Sequence, residues 1–187
     1  MNIDTARFNM IEQQIRPWNV LDASVLELLS VVKREDFVPA AHKGLAFADL
    51  EIPLMGSGED AMRLGQCMLE PRLEARLLQD LAVQSHETVL EIGTGSGYMA
   101  ALLAKKARNV LSLEIVPELA DMARANLRNA GVQNVEVNLA DGAQAKPANG
   151  PFDVIVLSGS VAEVPHNLLQ MLKVGGRLGG IVGDEPV

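Results

Sequence analysis

Apolar positions in this chain recur first at helical spacing and then, from Val89 onward, in short runs that alternate with helical stripes. Phe8, Ile11 and Ile15 predict a helix that ends at the Arg16-Pro17 step, because the proline ring disfavours helical geometry in the residue before it. Asp22 stands where an N-cap belongs, ahead of a second stripe made by Val25, Leu28, Leu29 and Val32. Between residues 37 and 70 the periodicity lapses, and Gly44, Pro53, Gly56, Gly58 and Gly65 predict a long irregular segment of the kind that is usually functional or mobile. Helical spacing returns after Pro71, with Leu73, Leu77, Leu78 and Leu81 inward.

Val89, Leu90 and Ile92 then form a run suited to a buried strand, followed by a glycine turn and a helix carrying Met99, Ala100, Leu102, Leu103 and Ala104. Residues 109–116 predict a second strand ending at Glu114. Pro117 starts the next helix, Leu119, Met122, Ala123 and Leu127 line it, and Gly131 ends it. Further strands are predicted at 135–139, 152–157 and 177–182. The expected fold is α/β and Rossmann-like: a mostly parallel twisted sheet with helices on both faces and an N-terminal helical extension. Residues 1–187 are expected to form one domain, with 1–88 shaping an acceptor site and 89–187 forming the binding sheet.

The glycine turn reads Glu91, Ile92, Gly93, Thr94, Gly95, Ser96, Gly97, Tyr98, so Tyr98 occupies the place where a dinucleotide fingerprint needs its third glycine. A dinucleotide site offers a helix N-terminus to an anionic pyrophosphate. Here Glu91 adds a carboxylate beside the turn, which favours a cation. S-adenosylmethionine has a sulfonium, an ammonium and no phosphate, and the pattern resembles the first motif of class I S-adenosylmethionine-dependent methyltransferases. Glu114 lies about 20 residues beyond Gly93, the spacing of a ribose-binding acid, and Ile115 follows it. Asp141 and Gly142 end the third strand, where the acid can accept from an adenine amino group. The fourth strand opens into Ser158, Gly159, Ser160 and Val161.

Composition narrows the field. The 187 residues carry a net charge of −8 and no local Lys/Arg cluster, which disfavours nucleic acid as a partner. Cys67 is the single cysteine and reads as a buried thiol, while His42, His86 and His166 lack metal-ligand spacing and read as surface imidazoles, so no metal is expected. No apolar run approaches the length of a membrane span and no leader pattern opens the chain, which together predict a soluble, cytoplasmic protein.

Residues 10–54, the string LEIGTGSGY, and the segments 134–142, 151–155, 163–165 and 172–177 together resemble the protein-L-isoaspartate (D-aspartate) O-methyltransferases over nearly the whole chain. The resemblance implies methyl transfer from S-adenosylmethionine to the free carboxylate of isoaspartyl residues in damaged proteins, with S-adenosylhomocysteine as product. It implies donor binding by Glu91, Gly93, Thr94, Gly95, Ser96, Gly97, Glu114, Ile115, Asp141 and Gly142, and acceptor binding by Gln66, Leu69, Ser158, Gly159, Ser160 and Val161.

Two departures shape the expectations. The family pattern Gly-Gln-Thr-Ile-Ser-x-Pro carries a hydroxyl at the position held here by Leu69, so reduced activity or another acceptor is expected, and a donor-binding protein without transferase activity is the remaining alternative. The pattern also ends at the strand 177–182, so the helix and hairpin that would finish such a sheet are expected to be missing. Self-association through the exposed fifth strand follows as an expectation.

Overall fold

Asp22 accepts hydrogen bonds from the backbone of Ser24 and Val25 and so starts a helix whose Val25, Leu28 and Leu29 are buried, as the apolar stripe requires. The computed structural model describes residues 2–56, 58–145 and 149–183. The chain divides into two compact units, Met1–Asp80 and Leu81–Val187.

The first unit begins with helix α1, Ile3–Met10, which runs into a wider π-helical turn, Ile11–Ile15, and a 3-10 turn, Arg16–Trp18. The predicted single stripe is corrected here: Ile11 and Ile15 are buried, but Phe8 is 62% exposed. The π-helical turn accommodates an extra residue, so side chains on either side of it no longer share one face. Helix α2, Ala23–Val31, follows. The segment expected to be irregular contains a small antiparallel pair, strand β1, Ile52–Pro53, with strand β2, Cys67–Met68, enclosing helix α3, Gly58–Arg63. Two-residue strands and a six-residue helix are too short to generate periodicity. Helix α4, Pro71–Leu81, buries Leu78 and Leu81, while Leu73 and Leu77 are half-buried. Cys67 is also half-buried rather than buried.

The second unit is a five-stranded parallel sheet in the order β5-β4-β3-β6-β7, formed by β3, Thr88–Ile92, β4, Asn109–Glu114, β5, Val135–Leu139, β6, Phe152–Val161, and β7, Leu172–Val182. The order reverses beside β3, and such a switch point is where α/β sheets bind ligands, at the carboxyl ends of the strands. Helix α5, Tyr98–Lys106, is buried from Tyr98 through Ala104, the mark of a helix enclosed on every side. Helix α6, Pro117–Asn129, buries only Leu119, Ala120, Ala123 and Leu127. Leu90, Leu111, Leu113, Phe152, Ile155, Leu157 and Leu168 form a core cluster.

Three boundaries differ from the sequence expectation. β6 continues past Leu157 to Val161, so Ser158, Gly159, Ser160 and Val161 lie in a strand with a register shift, not in an opening loop. β7 begins at Leu172, five residues before the expected strand, and the short helix α7, His166–Gln170, precedes it. The glycines at 175, 176, 179 and 180 obscured the strand signal. A side chain at Gly180 would meet Leu157 Cβ at 2.6 Å, so this glycine is what lets β7 pass close to its neighbour. Among the described residues no helix is long and apolar enough to cross a membrane.

Candidate donor site at the glycine turn

The turn after β3 depends on glycine for backbone geometry and for close approach. Gly93, Gly95 and Gly97 have φ of 89°, 53° and 85°, a region that side chains rarely tolerate. A Cβ at Gly97 would also meet Leu127 Cγ at 3.2 Å and Ala123 Cβ at 3.3 Å, so the turn lies tight against α6. Asn126 on α6 braces it further by donating to the Ser96 carbonyl at 2.9 Å.

The three glycine N–H groups are all committed within the protein. Gly93 donates to the Leu113 carbonyl, Gly97 to the Thr94 carbonyl and Gly95 to Glu114 Oε2, each at 2.8 Å. A pyrophosphate cradle needs such groups free to point at phosphate oxygens. These donors are already spent.

Glu91 and Glu114 hold the turn from two sides. Glu91 is fully buried; its Oε2 accepts from Ser112 Oγ at 2.6 Å and its Oε1 from Ser158 Oγ at 2.8 Å. The Ser112 and Thr94 hydroxyls are 2.5 Å apart. Because the Ser112 hydroxyl donates its hydrogen bond to the carboxylate, Thr94 is the donor to Ser112. A chain of polar groups therefore runs from the turn through β4 to β3 and β6. Glu114 Oε1 accepts from the N–H of Ile115 at 2.9 Å and of Val116 at 3.0 Å, in addition to the Gly95 bond on Oε2. A carboxylate has about four acceptor positions, so Oε2 keeps one for a hydroxyl.

Ile115, beside it, is 64% exposed and puts a large apolar surface next to the acid. Asp141 follows β5; its Oδ1 accepts from Ala143 N and its Oδ2 from Gln144 Nε2, both at 2.9 Å. Gly142 is pressed against Ile92, where a Cβ would fall 2.3 Å from Cγ2. The structure thus brings Glu91, the 93–97 turn, Glu114, Ile115, Asp141, Gly142 and Ser158 to neighbouring strand ends in one unit.

Gln66 and Leu69 belong to the first unit. The Gln66 carbonyl accepts from Leu54 N at 2.9 Å and its N–H donates to the Ala61 carbonyl at 2.8 Å, which fixes the backbone next to β2. Burial pushes the nearby Cys67 thiol up to about 11, with the charge of Glu51 adding to the shift, so it is protonated at neutral pH. Among the described residues, no group of three or more His, Cys, Asp or Glu side chains is placed to hold a metal ion.

The sequence reading missed Ser112 and Asn126. Ser112 was detectable in principle, as the one hydroxyl in the apolar run of β4 and the register partner of Glu91. Asn126 sits on the half-buried flank of an amphipathic helix, where an amide attracts no notice.

A parallel sheet with a glycine turn at its switch point and an acid at the end of the adjacent strand defines the Rossmann-like fold of the class I methyltransferases. The family description protein-L-isoaspartate (D-aspartate) O-methyltransferase matches residues 6–185. The protein-L-isoaspartate O-methyltransferase of Methanoculleus marisnigri is 42% identical over 179 residues, which cover 96% of this chain and 78% of the relative. Protein-L-isoaspartate O-methyltransferase 2 of Marinobacter nauticus is 40% identical over 184 residues, covering 98% and 80%. A solved protein-L-isoaspartate O-methyltransferase superimposes with a TM-score of 0.75 at 26% identity, covering 92% of this chain and 54% of its own. A beta-aspartate methyltransferase structure from Plasmodium falciparum, in complex with S-adenosyl-L-homocysteine, shares the fold with a TM-score of 0.74 at 19% identity, covering 95% and 83%. This chain belongs to the protein-L-isoaspartate (D-aspartate) O-methyltransferase family.

Proposed function

We propose that this chain transfers the methyl group of S-adenosylmethionine to the carboxylate of L-isoaspartyl and D-aspartyl residues in damaged proteins. The observation that carries the reading is the commitment of all three glycine N–H groups to Leu113, Glu114 and Thr94. A turn whose three glycine amides are committed inside the protein, with the Glu114 carboxylate beside it, suits a ligand rich in hydroxyls and without phosphate, and opposes a dinucleotide. When bound, S-adenosylmethionine supplies an electrophilic sulfonium methyl. Glu114 is assigned to the ribose hydroxyls, Asp141 to the adenine side, and Ile115 to the apolar wall between them. Glu91 acts from inside the turn, through Ser112 and Thr94, to fix the backbone that faces the methionine end.

An isoaspartyl carboxylate is ionised at neutral pH, so the chain has no need to provide a general base. Its task is alignment, which is able to supply about 7–11 kcal/mol of barrier reduction. Ser158 and Ser160 at the end of β6 are assigned to the acceptor. Within the first unit, Gln66 and Leu69 carry the acceptor role that the family resemblance implies.

The test is transfer of labelled methyl to an isoaspartyl peptide, set beside its aspartyl twin and small carboxylic acids. Methylation of the isoaspartyl peptide alone is expected. Transfer only to small acids would mean a different acceptor, and donor binding with no transfer would mean a binding protein.

A further inference from the structure

Arg34 is fully buried and opens the short 3-10 turn Arg34–Asp36 in the first unit. Its Nη1 donates to the carboxylate of Glu74 on α4, and its Nη2 donates to the backbone carbonyl of Leu69 at 2.6 Å. The two side chains are 1% and 4% exposed. Desolvating a guanidinium and a carboxylate costs so much that a well-packed apolar pair of the same volume commonly serves a fold as well or better. Stability alone therefore gives little account of the pair. Its third partner gives more.

The segment that leads into α4 is anchored in two places. Upstream, Gln66 is tied to Leu54 and Ala61, and Cys67 and Met68 pair with Pro53 and Ile52. Downstream, the Glu70 carbonyl accepts from Leu73 N at 3.0 Å as the first turn of the helix closes. Leu69 falls between the two, and the Arg34 fork is what grips its carbonyl. A guanidinium is planar, so its two terminal nitrogens hold Leu69 and Glu74 at a fixed mutual distance and angle.

We propose that Arg34 is a positioning residue for the acceptor loop, clamping the Leu69 backbone to α4 and thereby setting where the side chain at position 69 points. The proposal rests on the reading above, in which residue 69 serves the acceptor. It assigns Arg34 no contact with either substrate.

Arg34→Lys separates this role from simple charge pairing, because an ammonium is a point charge that satisfies Glu74 without reproducing the fork. Two readouts are needed. Hydrogen exchange followed by mass spectrometry is expected to show faster exchange in peptides spanning residues 64–70, with peptides covering β3 and β4 unchanged. Kinetics on an isoaspartyl peptide are expected to show about a tenfold rise in the KM for the peptide, the scale of one lost hydrogen bond from a charged donor, with the KM for S-adenosylmethionine unchanged.

Exchange in residues 64–70 that stays at the parent rate overturns the clamp. So does an equal shift in both KM values, which would mark a general structural defect. A parent chain that fails to methylate the peptide ends the functional reading and with it the positioning role, while the exchange result still shows whether the grip exists. Should Arg34→Lys not fold, Glu74→Gln decides: it weakens the far anchor of the fork, and must speed exchange in residues 64–70 and raise the peptide KM, or the proposal is wrong.

Discussion

Glu91 faces Ser112 across the β3 and β4 pair and accepts a hydrogen bond from its hydroxyl, with the two oxygens 2.6 Å apart. One oxygen of a fully buried carboxylate is thereby satisfied from the neighbouring strand, and Ser158 on the opposite neighbour satisfies the other at 2.8 Å. Buried carboxylates without such donors are strongly disfavoured.

Ser112→Ala removes that donor and also leaves the Thr94 hydroxyl without its acceptor. The expected cost is about 1–3 kcal/mol of stability, read as a lower urea midpoint with an unchanged slope. Because Thr94 sits on the turn, affinity for S-adenosylmethionine should fall as well. Ser112→Thr, which keeps the hydroxyl, should recover most of both losses. An alanine variant equal to the parent in both measurements would mean that the polar chain does not hold the turn.

Glu114 does two jobs with one carboxylate, accepting backbone N–H groups from Gly95, Ile115 and Val116 while keeping a position for a hydroxyl. In Glu114→Gln one accepting oxygen becomes an NH2 group that confronts a backbone donor. Calorimetry is expected to show a loss of about 1.5–3 kcal/mol in affinity for S-adenosylmethionine or its demethylated product. Glu118→Gln, on the exposed start of α6, should change nothing. Unaltered binding in the Glu114 variant, or tighter binding of NAD than of S-adenosylmethionine by the parent, would count against the donor assignment.

Three carboxyls give the stability a pH dependence, two of one sign and one of the other. Burial pushes the Asp153 carboxyl up, but hydrogen bonds from Lys173 and from the backbone and hydroxyl of Thr88, with the Lys173 charge, outweigh it and lower the group from 3.8 to about 2. The Arg177 hydrogen bond lowers Glu87 in the same way. Both contributions are present above the unfolded values and are lost as pH falls, for Asp153 through about 2.

Glu74 goes the other way. Burial raises its carboxyl from 4.5 to about 7 against the pull of Arg34, so stability declines as pH rises through that interval and levels off above it. Urea midpoints from about pH 2 to about pH 8 should therefore fall at both ends. Asp153→Asn is expected to flatten the acid limb and Glu74→Gln the upper one. An upper limb that survives Glu74→Gln would assign that slope to other groups.

What the sequence made legible follows from where period and chemistry coincide. The turn at 93–97, the acid at Glu114 and the strand at 135–139 lie where short apolar runs meet glycine or a carboxylate, and the structure puts them at adjoining strand ends. β7 was half visible, because its glycines, among them Gly180 packed against Leu157 and Gly179 against Leu81, dilute the apolar signal. The β1–β2 pair was invisible: each strand is two residues long, and what holds them is a long-range register that no local pattern encodes. The Arg34–Glu74 pair was hidden for a related reason, since partners 40 residues apart leave no spacing to read.

Leu69 offers the sharpest test of the acceptor assignment. Its side chain is half-buried, and its carbonyl is gripped by Arg34, so a change at this position alters the side chain while the backbone stays tethered. The family resemblance places a hydroxyl here, and a hydrogen bond to a charged acceptor is worth about 1.5–3 kcal/mol. Leu69→Ser is therefore expected to raise turnover on an isoaspartyl peptide by about tenfold or more, with donor affinity unchanged. Leu69→Ala controls for the loss of bulk and should bring no such gain. Combining Leu69→Ser with Arg34→Lys should forfeit most of the improvement, because the new hydroxyl would no longer be held in place. A serine variant that matches the alanine variant in rate would show that this position does not face the acceptor carboxylate, and would leave selection of the substrate to other residues of the loop or to the end of β6.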